Sequence, residues 1–304
     1  MSATRSVLDA RAMGGMALIC FIWALAQIAI KYNATAMSPI LQIWIRSGGA
    51  AVLTVLLVLL QGKPLLTVRK GWLPGLVIGL LFSGEFFLMG EALRYTSASH
   101  VSIFLYTAPI FAALGLHLTS AQERLQGVQW VGVFLAFLGI AISFLGRDGS
   151  QNTALNPNMV FGDMLAILGG AVWGATTVVV RSSRLNDAPA TETLFYQLVV
   201  AAVVLTGAAY VFEQDTVHWD SLLVVNLGFQ IFVVSFLSLL LWFWLLRHYL
   251  ASRLGVLSFL TPLFAVILGV VLLGERVDAF FAIGAACVVL GIILVNRTVK
   301  SADR

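Results

Sequence analysis

Charge is what this chain has least of. Asp, Glu, Lys and Arg make up 11% of its 304 residues, where a soluble domain carries about a quarter. Hydrophobic residues make up 60% and mean hydropathy is +0.97. So few charges cannot coat that much apolar side chain in water, so the solvent must be lipid. The net charge of +4 is small and the basic residues fall in short loops, which points to membrane orientation and away from nucleic acid. Cysteine is equally scarce. Cys20 and Cys287 both lie in apolar runs, which excludes a disulfide framework or a thiolate metal site. The four histidines are scattered and no His-Glu-x-x-His occurs. A Walker-type phosphate loop and a Gly-x-Ser-x-Gly elbow are also missing. The chain therefore has no visible means of hydrolysing ATP, and it offers no catalytic residue, metal ligand or cofactor site. It does not read as an enzyme.

What is present is a series of apolar runs long enough to cross a bilayer as helices, each about 20 residues. Ten are predicted, at 13–32, 39–60, 72–93, 98–118, 127–146, 159–181, 190–212, 222–246, 252–273 and 278–296. Continuous runs without alternation exclude a barrel. Ala24-Leu25-Ala26 fits a signal-peptidase site loosely. The first run nevertheless pairs with a later one and is read as a span. Ten spans put both termini on one side. That side holds thirteen Lys and Arg residues (Arg5, Arg11, Lys63, Arg69, Lys70, Arg124, Arg181, Arg184, Arg247, Arg253, Arg297, Lys300, Arg304). The other side holds Lys31, Arg94, Arg147 and Arg276. The positive-inside rule then places both termini in the cytoplasm.

A motif occurs twice. The first copy reads Arg94-Tyr95-Thr96, then Thr107-Ala108-Pro109, then Glu123-Arg124. The second reads Arg247-His248-Tyr249, then Leu260-Thr261-Pro262, then Glu275-Arg276. Each copy is followed by Leu-Gly-Ile, at 138–140 and 290–292. Trp23-Ala24 in span 1 likewise matches Trp173-Gly174 in span 6. The expected organisation is a first five-helix repeat at 13–146, a polar periplasmic linker at 147–158 and a second repeat at 159–296. An odd number of spans per repeat inverts one half against the other. The binding site is then expected at the interface of the halves near the midplane, with access alternating as they rock. Pro109 and Pro262 sit near the middle of spans 4 and 9. They are candidate hinges, or else static kinks.

These residues resemble the drug/metabolite transporter superfamily, in its EamA-type ten-helix branch. The tryptophan opening each half, the segment Thr261-Pro262 to Gly274-Glu275-Arg276 and the closing Leu-Gly-Ile carry the resemblance. It covers residues 13 to 296. The first copy departs from the family's pattern, with Ser120-Ala121-Gln122-Glu123 where Leu-Gly-Glu is usual. The resemblance implies a secondary transporter of the inner membrane, multi-pass and all-α, that exports small metabolites. Among family members the chain looks most like bacterial aromatic amino-acid exporters. The alternatives are a passive facilitator or channel, or an exporter of other amino acids or drugs. Expected partners are the bilayer, a small-molecule substrate and protons as a coupling ion.

Two charges lie within spans, where they are costly and usually functional. Arg46 stands about seven residues, or roughly 10 Å, below the end of span 2. Glu85 lies at similar depth in span 3. Either they face a cavity, with Arg46 toward a substrate carboxylate and Glu85 toward an ammonium or proton, or they form a structural ion pair. Trp23, Trp44, Phe86, Tyr106, Trp173, Tyr196 and Phe229 lie inside spans rather than in the interfacial belts, and the tryptophans could stack on a ligand. Gly169, Gly170 and Gly174 leave space beside Trp173. Gln27, Gln42, Thr176, Thr177, Gln197, Asn226 and Gln230 need partners in lipid, from other helices or from substrate. The candidate substrate contacts are thus Trp23, Gln27, Trp44, Arg46, Glu85, Tyr106, Trp173, Thr177, Tyr196 and Gln230. His100 and His117 fall toward span ends, where exposure is expected.

Overall fold

The computed structural model describes residues 10–62, 64, 66, 71–119, 125–145, 158–214, 216–248 and 257–295. The linker up to residue 157, residues 120–124 and Tyr249 lie outside these residues. The described chain is helical, with one isolated bridge between Met37 and Val217.

The helices are α1 (Ala10–Tyr32), α2 (Pro39–Leu60), α3 (Trp72–Tyr95), α4 (Ala98–Leu105), α5 (Ala108–Thr119) and α6 (Gly127–Leu145). They continue with α7 (Met159–Ser182), α8 (Ala190–Val211) and α9 (Ser221–Gly228). A π-helical segment (Phe229–Leu237) leads into α10 (Ser238–His248), followed by α11 (Leu260–Leu273) and α12 (Ala279–Val295). Among the described residues, seven helical stretches are long and apolar enough to cross a membrane, counting α4–α5 as one and α9 into α10 as another. α11, α12 and most of α6 are shorter apolar helices.

Local chemistry sets the boundaries. Ser38 caps α2 by accepting from Leu41 N, with Pro39 at the first helical position, where the missing N–H costs nothing. Ser97 caps α4 through His100 N, and Asp220 caps α9 through Leu223 N. The link between α3 and α4 is therefore a capped corner of two residues. Span 4 is not one kinked helix. It ends at Leu105 and restarts at Ala108, one residue ahead of the proline expected to bend it. Pro109 stands in the first turn of α5, and Pro262 likewise in the first turn of α11. Serine and threonine inside spans mostly bond back to the carbonyl four residues earlier: Ser47 to Ile43, Thr54 to Ala50, Ser83 to Gly79 and Thr177 to Trp173. Their hydroxyls need no partner helix.

Packing is closest where glycines meet. A methyl group on Gly139 would stand 2.5 Å from the Gly284 carbonyl oxygen, and one on Gly291 would stand 2.5 Å from that of Gly132. The two Leu-Gly-Ile motifs are therefore the seam on which α6 and α12 touch backbone to backbone. The glycines beside Trp173 leave no space. The α4–α5 break fills it, with the Leu105 carbonyl against Gly170 and the Ala108 carbonyl against Gly174. α3 and α7 pack together, as do α3 and α8, α2 and α8, and α1 and α11.

The expected exposure of His100 is wrong. It is 3% exposed, because α7 and α12 cover the helix end. Its Nδ1 lies 3.0 Å from Asp163 of α7, and its ring stacks on Phe281 of α12 at 3.8 Å. His117 is half-buried and accepts a bond from Leu125 N.

Candidate functional site

Spans 1 to 4 and 6 to 8 enclose a cavity of about 340 Å³, to which α6 and α12 contribute nothing. α1 supplies Trp23, Ala26 and Gln27, one turn of a single face. Trp23 donates its indole N–H to Ser238 Oγ at 2.9 Å and lies 5.8 Å from the ring of Trp242. A buried tryptophan is fixed in this way by its one polar atom. α3 supplies Phe82, Glu85, Phe86 and Met89, spaced three and four residues apart and so on one stripe. Val234, Ser235, Leu239 and Trp242 form the corresponding stripe across the π segment and α10. α8 adds Thr193, Leu194, Gln197 and Leu198. Tyr106 and Trp173 close the wall edge to face, their rings 5.2 Å apart and perpendicular.

Two charges face this aromatic space. Arg46, 7% exposed, donates to Gln230 Oε1 at 3.2 Å, and its guanidinium lies 4.6 Å above the Phe86 ring. Gln230 is wholly buried and donates in turn to the Ala26 carbonyl at 3.0 Å. The guanidinium is thus held from behind by an amide and from one side by a ring, which leaves donors of its fork for a ligand. Glu85 is 6% exposed. Each of the two is the main opposite charge felt by the other, yet among the described residues no ion pair within 4 Å joins them. The structural ion pair is not formed. The two charges stand apart across a space lined by rings.

The structure brings Trp23, Gln27, Arg46, Glu85, Tyr106 and Trp173 to one cavity. Gln230 lies behind it. Trp44 packs on the central apolar core. Thr177 spends its hydroxyl on its own helix. Tyr196 fills the seam between α8 and α3, where a methyl group on Gly75 would stand 2.7 Å from its ring. Gln42 and Asn226 bond to one another at 2.8 Å, and Gln42 also donates to the Ile30 and Met37 carbonyls. They join helices rather than line the site. Sequence reasoning passed over Phe82, Ser235 and Trp242. The three-and-four spacing of 82, 85, 86 and 89 and of 235, 239 and 242 was the signal that would have found them.

The chain is 22% identical over 287 residues to the uncharacterized transporter YoaV of Bacillus subtilis, covering 93% of this chain and 96% of that one. It is 24% identical to a probable amino-acid metabolite efflux pump of Salmonella typhimurium, covering 91% and 92%. It is 23% identical to the uncharacterized inner membrane transporter YedA of Escherichia coli, covering 93% and 90%. A solved crystal structure superposes with a TM-score of 0.66 at 20% identity, over 96% of this chain and 99% of that one, which speaks for the fold. The EamA-like transporter family model matches residues 11–145 and again 160–297, once for each half. The chain therefore belongs to the EamA-like transporter family, whose members are transporters and not enzymes.

Proposed function

We propose that this protein is an inner-membrane secondary carrier that exports small amphipathic metabolites, with aromatic amino acids as the leading substrate. The observation that carries the reading is the cavity itself, a buried cation and a buried carboxylate held apart within an aromatic wall. An α-amino acid presents a carboxylate to Arg46 and an ammonium to Glu85, and an aromatic side chain stacks between the tryptophans. About 340 Å³ falls at the lower end of small-molecule sites, roughly 300–1,000 Å³, and suits a ligand of that size. The name of the Salmonella relative, an amino-acid metabolite efflux pump, supports the same substrate class.

The mechanism proposed is alternating access between two inverted five-helix repeats, ten spans in all. The packing supports it, because contacts recur when the halves are exchanged. The pairing of α3 with α7 has its counterpart in α1 with the π segment and α10, and that of α4–α5 with α7 in α11 with α1. α2–α8 and α6–α12 map onto themselves. The cavity lies where these exchanging pairs meet. Pro109 and Pro262, in the first turns of α5 and α11, are the proposed hinges.

Purified protein in liposomes is expected to take up labelled tryptophan or phenylalanine saturably, with competition among aromatic amino acids and a change in rate under a proton gradient. No uptake by folded protein removes aromatic amino acids as substrate. Both termini are placed in the cytoplasm. A single cysteine at position 63 should therefore react with an impermeant reagent only from the cytoplasmic face, and labelling from outside reverses the orientation.

A further inference from the structure

Side-chain atoms that are buried without a hydrogen-bond partner are few among the described residues, and Gln27 Oε1 is the one that belongs to the cavity wall. Gln27 is 6% exposed. It follows Trp23 by four residues on α1, so the two share the face that α1 turns to the cavity. A buried acceptor left without a donor costs the fold its desolvation, and native chains seldom carry one without a reason. Trp23, one turn away, gives its indole N–H to Ser238 Oγ instead.

Gln27 stands at the charged end of the cavity. α1 ends and α2 begins on the same side of the bundle, because residues 33–38 join them. Gln27 lies five residues before the end of α1 and Arg46 seven after the start of α2, about 8 and 10 Å in from that side. The hydrogen bonds from Arg46 to Gln230 and from Gln230 to the Ala26 carbonyl then tie the guanidinium to the turn of α1 that carries Gln27. Glu85 lines the same cavity from α3. A cation, a carboxylate and a neutral acceptor therefore face one space.

We infer that Gln27 is the second acceptor of an ammonium subsite, and that with Glu85 it selects substrates carrying a primary ammonium group. The inference rests on the amino-acid reading proposed above and deepens it. A primary ammonium has three N–H donors. Glu85 supplies the opposite charge, and Gln27 supplies a neutral oxygen from a different helix. A carboxylate alone attracts any cation. A carboxylate and an amide oxygen on separate walls require two N–H groups diverging from one nitrogen. A tertiary ammonium, with one N–H, can satisfy only one of them. A ligand without the ammonium leaves both acceptors buried and unpaired, which is how a site built to hydrogen-bond rejects an analogue that lacks the donor.

The test is equilibrium binding of three ligands to the purified full-length protein in detergent, which requires no transport. L-phenylalanine carries both charged groups, 2-phenylethylamine only the ammonium and 3-phenylpropanoate only the carboxylate. Gln27→Leu should weaken L-phenylalanine and 2-phenylethylamine by about tenfold or more, the typical effect of one hydrogen bond to a charged group, and leave 3-phenylpropanoate within about twofold. Gln27→Met keeps the length of the side chain and should behave alike, so either folded variant carries the comparison. An equal loss for all three ligands makes Gln27 a packing residue and overturns the inference. A loss confined to 3-phenylpropanoate also overturns it, because the amide would then be turned with its nitrogen toward the carboxylate. Unchanged binding of L-phenylalanine and 2-phenylethylamine in a folded variant overturns the inference and leaves the amino-acid reading standing. Wild-type protein that binds none of the three overturns both.

Discussion

Arg46→Met is expected to lower kcat/KM for amino-acid transport by about thirtyfold or more, with the protein still inserted in the membrane. The estimate comes from the bond it removes. Truncating one side of a buried, hydrogen-bonded charge pair costs about 2–5 kcal/mol, and each 1.36 kcal/mol is about tenfold in rate. A second, smaller loss falls on stability. Gln230 is wholly buried and would be left with an acceptor that Arg46 had satisfied, at about 1–3 kcal/mol. Transport and thermal melting separate the two effects. Adding Gln230→Leu to Arg46→Met should recover the stability and none of the transport, because it removes the orphaned acceptor but not the need for a cation in the cavity. Arg46→Lys keeps charge without the planar fork and should lie between. Wild-type kcat/KM in folded Arg46→Met eliminates the substrate role.

The same pair shows how far the sequence could be read. Two charges at similar depth in neighbouring spans are visible as soon as the spans are drawn, because lipid makes every charge conspicuous. Whether they touch is not visible. That depends on Gln230, which draws the guanidinium toward the π segment, and nothing in Phe229–Leu237 marks it as π-helical rather than α-helical. The span pattern is legible for the same reason the charges are, and so is the twofold repetition, since the tryptophan, proline and glycine copies recur at nearly constant spacing. Depth along a span proved a poor guide to exposure. His100 lies three residues into its helix, yet α7 and α12 fold over it. Asp163, its partner, lies near the start of a span where a carboxylate would ordinarily reach headgroups. Glycines were misread in the opposite direction. Beside Trp173 they mean contact rather than room, because in lipid a missing side chain draws in another backbone.

Trp173→Ala should cost tryptophan and phenylalanine transport far more than transport of a small aliphatic amino acid. Trp173 stands perpendicular to Tyr106 at 5.2 Å, with its own helix fixed by Gly170 and Gly174 against the α4–α5 break. The indole is therefore held by backbone packing rather than by the substrate, and a ligand ring can stack on it with little reorganisation. Aromatic contacts contribute about 0.5–1.5 kcal/mol beyond area burial. Loss of the buried area itself brings the total to a few kcal/mol, or about two orders of magnitude in apparent affinity. Aliphatic substrates lose part of the area and none of the ring contact, so their transport should fall by about tenfold or less. Trp173→Phe keeps a ring and should retain most of the discrimination. The residue is partly buried, so Trp173→Ala also opens a void, and melting in detergent must show that the protein is folded before the ratio is read. An equal loss for aromatic and aliphatic substrates assigns Trp173 to packing and withdraws it from the binding site. A selective loss fixes the side-chain end of the substrate at the Tyr106–Trp173 wall, with its charged end toward Arg46 and Glu85.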